Sequence, residues 1–138
     1  RNLLETAPLM DVLKCSRDEA QSLTGHSEPH RAAQAIVEMG VGLGIVTTGE
    51  EGAVWARKAD CGQVPSPQVE VMDTTGAGDS FCGALAAALA SGKSILEATE
   101  RAVHAGAIAA TRPGAQPSMP TAAEVDAVID DRSHEPTR

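Results

Sequence analysis

The sequence predicts an α/β layered fold with a largely parallel sheet. Three observations predict it. Short apolar runs suited to buried strands alternate with segments of helical period. One run, Leu43-Gly44-Ile45-Val46-Thr47, is apolar on both faces, as in a parallel strand covered by helices. The helical segments after residue 76 are rich in Ala and Gly, which permits close approach to a sheet.

Asp11–Cys15 reads as a short buried strand. Ser16 then stands as an N-cap with Glu19 three residues on, a capping-box pattern. The helix from Arg17 to Leu23 stops at Thr24-Gly25. A second helix runs from Pro29 to Met39, with Pro29 in its first turn and Gly40 ending it. Ala32, Ala35, Ile36 and Met39 form its apolar face. Leu43–Thr47 is the next strand. Thr48–Gly52 turns the chain, and Ala53–Arg57 returns as a strand. Lys58–Pro67 is a loop with a strand at its centre, and Val69–Met72 is a further strand. The helix beyond residue 76 carries Phe81, Leu85 and Leu89 at i, i+4 and i+8 and ends at Ser91-Gly92. Ile95–Ala110 follows as a second tightly packing helix. Prolines 113, 117 and 120 forbid helix in Thr111–Pro120. Thr121 caps a last helix, Ala122–Ile129, with Glu124 in capping-box position. Asp130–Arg138 is polar and expected to fray.

With 138 residues, 42% apolar and 22% charged, the chain suits one modest globular domain. Trp55 and Phe81 are its only aromatic residues, so the core must be aliphatic. The net charge of −8 argues against a nucleic-acid partner, which needs a basic patch. It leaves phosphate binding open, because backbone amides bind phosphate locally. Cys15, Cys61 and Cys82 show no zinc spacing and read as reduced thiols of a cytoplasmic protein. No apolar run is long enough to span a membrane, and no signal peptide is visible.

The most informative stretch is Asp73-Thr74-Thr75-Gly76-Ala77-Gly78-Asp79-Ser80-Phe81. It lies where an extended segment hands over to a helix N-terminus, where N–H groups are free and the dipole favours an anion. Gly76 and Gly78 let the backbone approach that anion. A carboxylate beside bound phosphate is electrostatically unfavourable unless it takes a proton from a hydroxyl attacking that phosphate. Asp79 fits this role. The plain alternative is a glycine turn that caps a helix.

This stretch resembles the C-terminal signature of the PfkB (ribokinase-like) carbohydrate kinases. The resemblance implies a ribokinase-like three-layer α/β/α fold with a mostly parallel sheet. It makes Gly76, Ala77 and Gly78 the anion hole, and Asp79 the catalytic base that also contacts the acceptor. Ser16-Arg17-Asp18-Glu19 is similar to the family's Asn-x-x-Glu segment, with Ser16 in place of Asn. This implies Glu19 near Mg²⁺ and Ser16 near the nucleotide; the alternative for both is the capping box. Thr47-Thr48-Gly49-Glu50-Glu51-Gly52 resembles the family turn that lies along ATP. Val103 takes the position of a family residue near the adenine, whereas His104 is offset by one residue, about 100° around the helix. His104 therefore inherits no role. Thr111–Ser118 looks most like ribokinase. It implies a monovalent cation such as K⁺ held by Asp73, the carbonyls of Thr75, Ala109, Arg112 and Gly114, and the Ser118 hydroxyl.

The family chain is about twice this length, and residues 1–138 match its C-terminal, nucleotide-binding and catalytic portion. The N-terminal sugar-binding part and lid are absent from this sequence. The expected function is ATP-dependent phosphorylation of a sugar hydroxymethyl group, nearest to ribokinase or fructokinase, with sugar and ATP as small-molecule partners. Alone, the chain is expected to be inactive, and to be unstable or to associate with itself or with the missing half. The alternative is a truncated, non-catalytic relative that binds nucleotide or complements a partner chain.

Overall fold

The apolar runs up to Pro65 build a four-stranded sheet. The computed structural model describes residues 2–133, which divide into two units at Pro65/Ser66. In the first unit, α1 (Asn2–Thr6) and a 3₁₀ turn (Ala7–Leu9) lead into β1 (Val12–Ser16). Then come α2 (Arg17–Thr24), α3 (Pro29–Glu38), β2 (Leu43–Thr47), β3 (Ala53–Ala56) and β4 (Cys61–Val64). The strand order is β1-β2-β3-β4.

β1 and β2 are parallel, in register from Val12↔Leu43 to Ser16↔Thr47. β2/β3 and β3/β4 are antiparallel, so the sheet of this chain is mixed rather than largely parallel. Connection length explains the difference. Only β1 and β2 are joined through helices, and the short turns Thr48–Gly52 and Arg57–Asp60 can join only antiparallel neighbours.

α2 and α3 cover one face of the sheet. Their seam is aliphatic and small: Cys15, Ala20, Ala32, Ala33, Ile36, Val46, Val54 and Ala56 are buried together. Gly44 sets the helix–sheet distance, since a Cβ there would lie 2.7 Å from the Ala33 carbonyl oxygen. That oxygen belongs to a helix backbone and cannot move aside. Helix limits follow local chemistry. Gly25 ends α2 at φ 76°. The Glu28 carboxylate accepts from the N–H groups of His30 and Arg31 at the start of α3.

The second unit contains α4 (Ala77–Ala90), α5 (Ile95–Ala110), a 3₁₀ turn (Gln116–Ser118) and α6 (Ala122–Ser133). The expected strand Val69–Met72 is not formed. Its backbone finds no ladder partner among the described residues, and the N–H groups of Met72 and Asp73 both donate to the Ala110 carbonyl, at 2.8 and 3.1 Å. The segment ends fastened to the C-terminus of α5.

α4 packs along α5. Phe81 and Leu85, each 4% exposed, are buried as the periodicity requires, and Ala88 continues the stripe with Leu89 half-buried beside it. Burial of side chains this size is worth about 1.5–3 kcal/mol each. Small residues on α5 match them: Ala98, Ala102, Ala105 and Ala109 are buried. Ser94 and Glu97 cap α5 as a capping box. α6 runs to Ser133, past the expected end at Ile129, so residues 130–133 are helical and the rest of the expected frayed tail lies outside the described residues.

Candidate functional site

The signature turn is built around Gly76. It is the N-cap of α4 with φ 81°, a left-handed conformation that suits glycine. No side chain caps this helix. The Ala77 N–H donates to the Thr74 carbonyl at 3.2 Å, and the Ser80 N–H to the Gly76 carbonyl at 2.9 Å. The N–H groups of Gly76, Gly78 and Asp79 have no acceptor among the described residues. Gly78 and Asp79 are exposed. Two adjacent free donors thus sit at the positive end of a 14-residue helix, the arrangement that binds an anion. The sequence singles out Gly76, Ala77 and Gly78; the structure occupies the Ala77 amide and adds that of Asp79. Counting orphan donors forward from the cap would have found it.

A second layer stiffens this turn. Asp73 accepts from the Thr75 N–H through Oδ1 and from the Gly114 N–H through Oδ2, both at 2.9 Å. Hydrogen bonds from Thr75 and from the Gly114 N–H hold its carboxyl below the usual carboxylate range. Ser118 is fully buried and donates to the Ala115 carbonyl at 2.6 Å, with the Thr75 carbonyl at 3.4 Å. A Cβ on Gly76 would lie 3.0 Å from the Ala115 carbonyl oxygen. The loop from Thr111 to Pro120 is therefore fastened to the signature.

Of the expected cation ligands, this brings Asp73, Thr75, Gly114 and Ser118 together. The Ala109 carbonyl accepts from the Arg112 N–H at 3.1 Å, within the last turn of α5. The Arg112 guanidinium turns away to Glu124. One carboxylate among carbonyls and a hydroxyl suits a hard cation of low charge. No described group of three or more His, Cys, Asp or Glu residues forms a metal cluster.

The Arg112–Glu124 pair, at 2.6 Å, ties this loop to α6. Glu124 also closes a capping box with Thr121. The Arg112 guanidinium first, then the Thr121 N–H and hydroxyl, lower the Glu124 carboxyl to about 2. A carboxyl lowered on folding stabilises the fold above its unfolded value, near 4.5, and loses that contribution as pH falls toward about 2. The opening free energy of the α6 amides, taken from exchange rates divided by their intrinsic rates at each pH, is expected to fall below pH 4.5 in the native protein. In Glu124→Gln that acid dependence should flatten.

In the first unit, Ser16 and Thr47 are neighbours at the C-terminal ends of the parallel pair, where α/β sheets present ligand sites. Ser16 and Glu19 form the capping box. The Ser16 N–H donates to Glu19 Oε2 at 2.7 Å, and the Glu19 N–H to Ser16 Oγ at 3.3 Å. The Ser16 N–H, then its hydroxyl, hold the Glu19 carboxyl below its ordinary range. One carboxylate oxygen is thus engaged with the helix cap. Thr48–Gly52 closes tightly: the Thr48 N–H and hydroxyl both donate to the Gly52 carbonyl, at 2.8 and 3.0 Å. Glu50 and Glu51 point outward. Arg17 reaches Glu51 at 2.6 Å, joining the start of α2 to this turn. Sequence reading does not find that pair, because its members are 34 residues apart.

Val103 is 5% exposed, so the expected apolar contact to a base is not offered at the surface. His104 is fully buried, with Nδ1 2.8 Å from the Glu100 carbonyl oxygen, and serves the helix interior.

The sequence profile of the pfkB family carbohydrate kinases matches residues 1–122. The chain belongs to this family. This pfkB-family chain is 37% identical over 131 residues to a probable fructokinase-5 of Arabidopsis thaliana, covering 89% of the chain and 40% of that protein. Its fold matches a Thermotoga maritima ribokinase with TM-score 0.86 and 36% identity, covering 92% of the chain and 44% of the other. It matches a putative Escherichia coli ribokinase II, in complex with ATP and Mg²⁺, with TM-score 0.85 and 34% identity, over 94% and 42% of the two chains. The ribokinase-like fold class is therefore established. The pfkB-family chain spans about two-fifths of the length of these relatives. Among the described residues, no helix is long and apolar enough to cross a membrane.

Proposed function

We propose that this chain carries the phosphoryl-transfer and nucleotide-turn portion of an ATP-dependent sugar kinase. One observation carries the reading. The exposed Asp79 stands at the third position of α4, and its own amide and that of Gly78 are free. A base and an anion site thus share one helix turn. Asp79 takes the proton from a sugar hydroxymethyl oxygen as that oxygen bonds to the γ-phosphorus. The bond to the bridging oxygen breaks, and ADP leaves with the electron pair. The free amides bind the charge that develops on the transferred oxygens.

Thr47–Gly52 and Ser16 are assigned to the nucleotide. The free Glu19 oxygen would anchor Mg²⁺, directly or through water, and Mg²⁺ bound with ATP would spread the phosphate charge. A K⁺ ion held by Asp73, Thr75, Gly114 and Ser118, with Ala109 and Arg112 carbonyls completing the shell, would stiffen the signature without touching substrate. The names and complexes of the relatives support sugar and MgATP as substrates. Asp79 contacts the acceptor, and the other acceptor-binding residues are assigned outside this chain, in the same polypeptide or in a partner.

The test is ADP release from MgATP by the intact protein that carries this chain, with fructose, ribose, 2-keto-3-deoxygluconate and nucleosides as acceptors. One acceptor class should be phosphorylated. Tight MgATP binding with no phosphorylated product would favour the second reading, a non-catalytic nucleotide-binding relative. No nucleotide binding would sink both.

A further inference from the structure

We infer that Arg17 is a polyphosphate-contacting residue that Glu51 holds in waiting. The inference rests on the nucleotide reading of Thr47–Gly52 and assigns a residue that this reading leaves unused.

Arg17 is the first residue of α2, directly after β1. Its Nη2 donates to Glu51 Oε2 at 2.6 Å, and its other guanidinium donors have no acceptor among the described residues. The two side chains keep 44% and 66% of their exposure. Ser16–Glu19 and Thr47–Gly52 together contain Asp18, Glu19, Glu50 and Glu51, and Arg17 is the lone cation. Such a rim repels a polyphosphate; Lys14 of β1 also acts on Glu19, but Arg17 is the cation that stands within the two segments themselves.

Partner exchange is inexpensive. An ion pair this exposed shifts an equilibrium by roughly two- to fivefold at most. A phosphate offers the guanidinium two parallel hydrogen bonds in place of the single one from Glu51, and it carries more charge. No covalent bond changes. Arg17 releases Glu51 and takes phosphate oxygens, and Glu51 returns to water.

The geometry gives the two members of the pair opposite signs. Removing Arg17 removes an attraction, whereas neutralising Glu51 frees that attraction and deletes a nearby negative charge. A pair that only braced the turn would make both substitutions weaken binding.

Calorimetric titration of the intact protein with MgATP, and with adenosine as the phosphate-free probe, tests this. Arg17→Gln should weaken MgATP about tenfold, the size of one charge-assisted contact. Arg17→Lys should recover part of that loss. Glu51→Gln should tighten MgATP about two- to threefold. Adenosine should bind the wild type, Arg17→Gln and Arg17→Lys alike. Arg17→Gln with unchanged MgATP affinity overturns the inference and leaves the nucleotide reading standing. So does weakening by Glu51→Gln, which assigns the pair a bracing role. A wild-type protein that binds neither probe overturns the nucleotide reading, and this inference with it.

Discussion

Asp79→Asn in the intact protein is expected to lower kcat by about 10²–10⁴-fold, the contribution of a positioned general base. MgATP affinity should stay within about twofold. Asparagine keeps the shape of the side chain at the third position of α4 and leaves the Gly78 and Asp79 amides in place. It cannot accept the acceptor's proton. If Asp79 were only a favourable charge near a helix N-terminus, its loss would lower stability by about 0.3–1 kcal/mol and leave turnover intact. Steady-state kinetics with a saturating acceptor, alongside nucleotide titration, separate the two. Turnover within tenfold of wild type would remove Asp79 from the role of base.

Gly76→Ala should damage both stability and turnover. A left-handed residue with a Cβ costs about 1–2 kcal/mol. Here the Cβ would also lie 3.0 and 3.1 Å from the Ala115 carbonyl oxygen and Cα, which are backbone atoms of the fastened loop. Overpacking adds about 1–3 kcal/mol, so the total expected loss is roughly 2–5 kcal/mol. Gly92 is the matched control: its φ is 78°, and a Cβ there would meet nothing within 4 Å. The difference in denaturation free energy between Gly76→Ala and Gly92→Ala isolates the contact with Ala115. Equal losses would show that the loop yields freely, and the stiffening of the signature by Asp73 and Ser118 would lose its basis.

Much of the local structure was legible in the residues. The Ser16/Glu19 and Thr121/Glu124 capping boxes form as their spacing predicts. Gly25 ends its helix in the left-handed conformation, and the Phe81/Leu85 spacing marks the buried face of α4. The likeness of Asp73–Phe81 to a kinase signature led to the right family. These signals reach no further than a helix turn or a contiguous motif, so their partners are close in sequence.

What failed was non-local. Val69–Met72 has strand composition, yet a strand exists only where another backbone receives its hydrogen bonds. Here Met72 and Asp73 donate to Ala110 instead. The sheet is mixed because short turns leave β3 and β4 no parallel option. Which amides of the signature remain free depends on the Thr74 carbonyl capturing one of them.

By itself, then, the sequence determined the limits of α2 to α5 to within a residue or so and the glycine-led turn before α4, and it nominated Asp79 as the candidate base. Caps, φ preferences and apolar period are properties of adjacent residues. Only the tertiary structure decided that Asp73 grips Gly114, that Ser118 is sealed beneath the signature and that Arg17 meets Glu51. Those contacts join residues 34 to 43 positions apart, and no local preference encodes which distant group a side chain will meet.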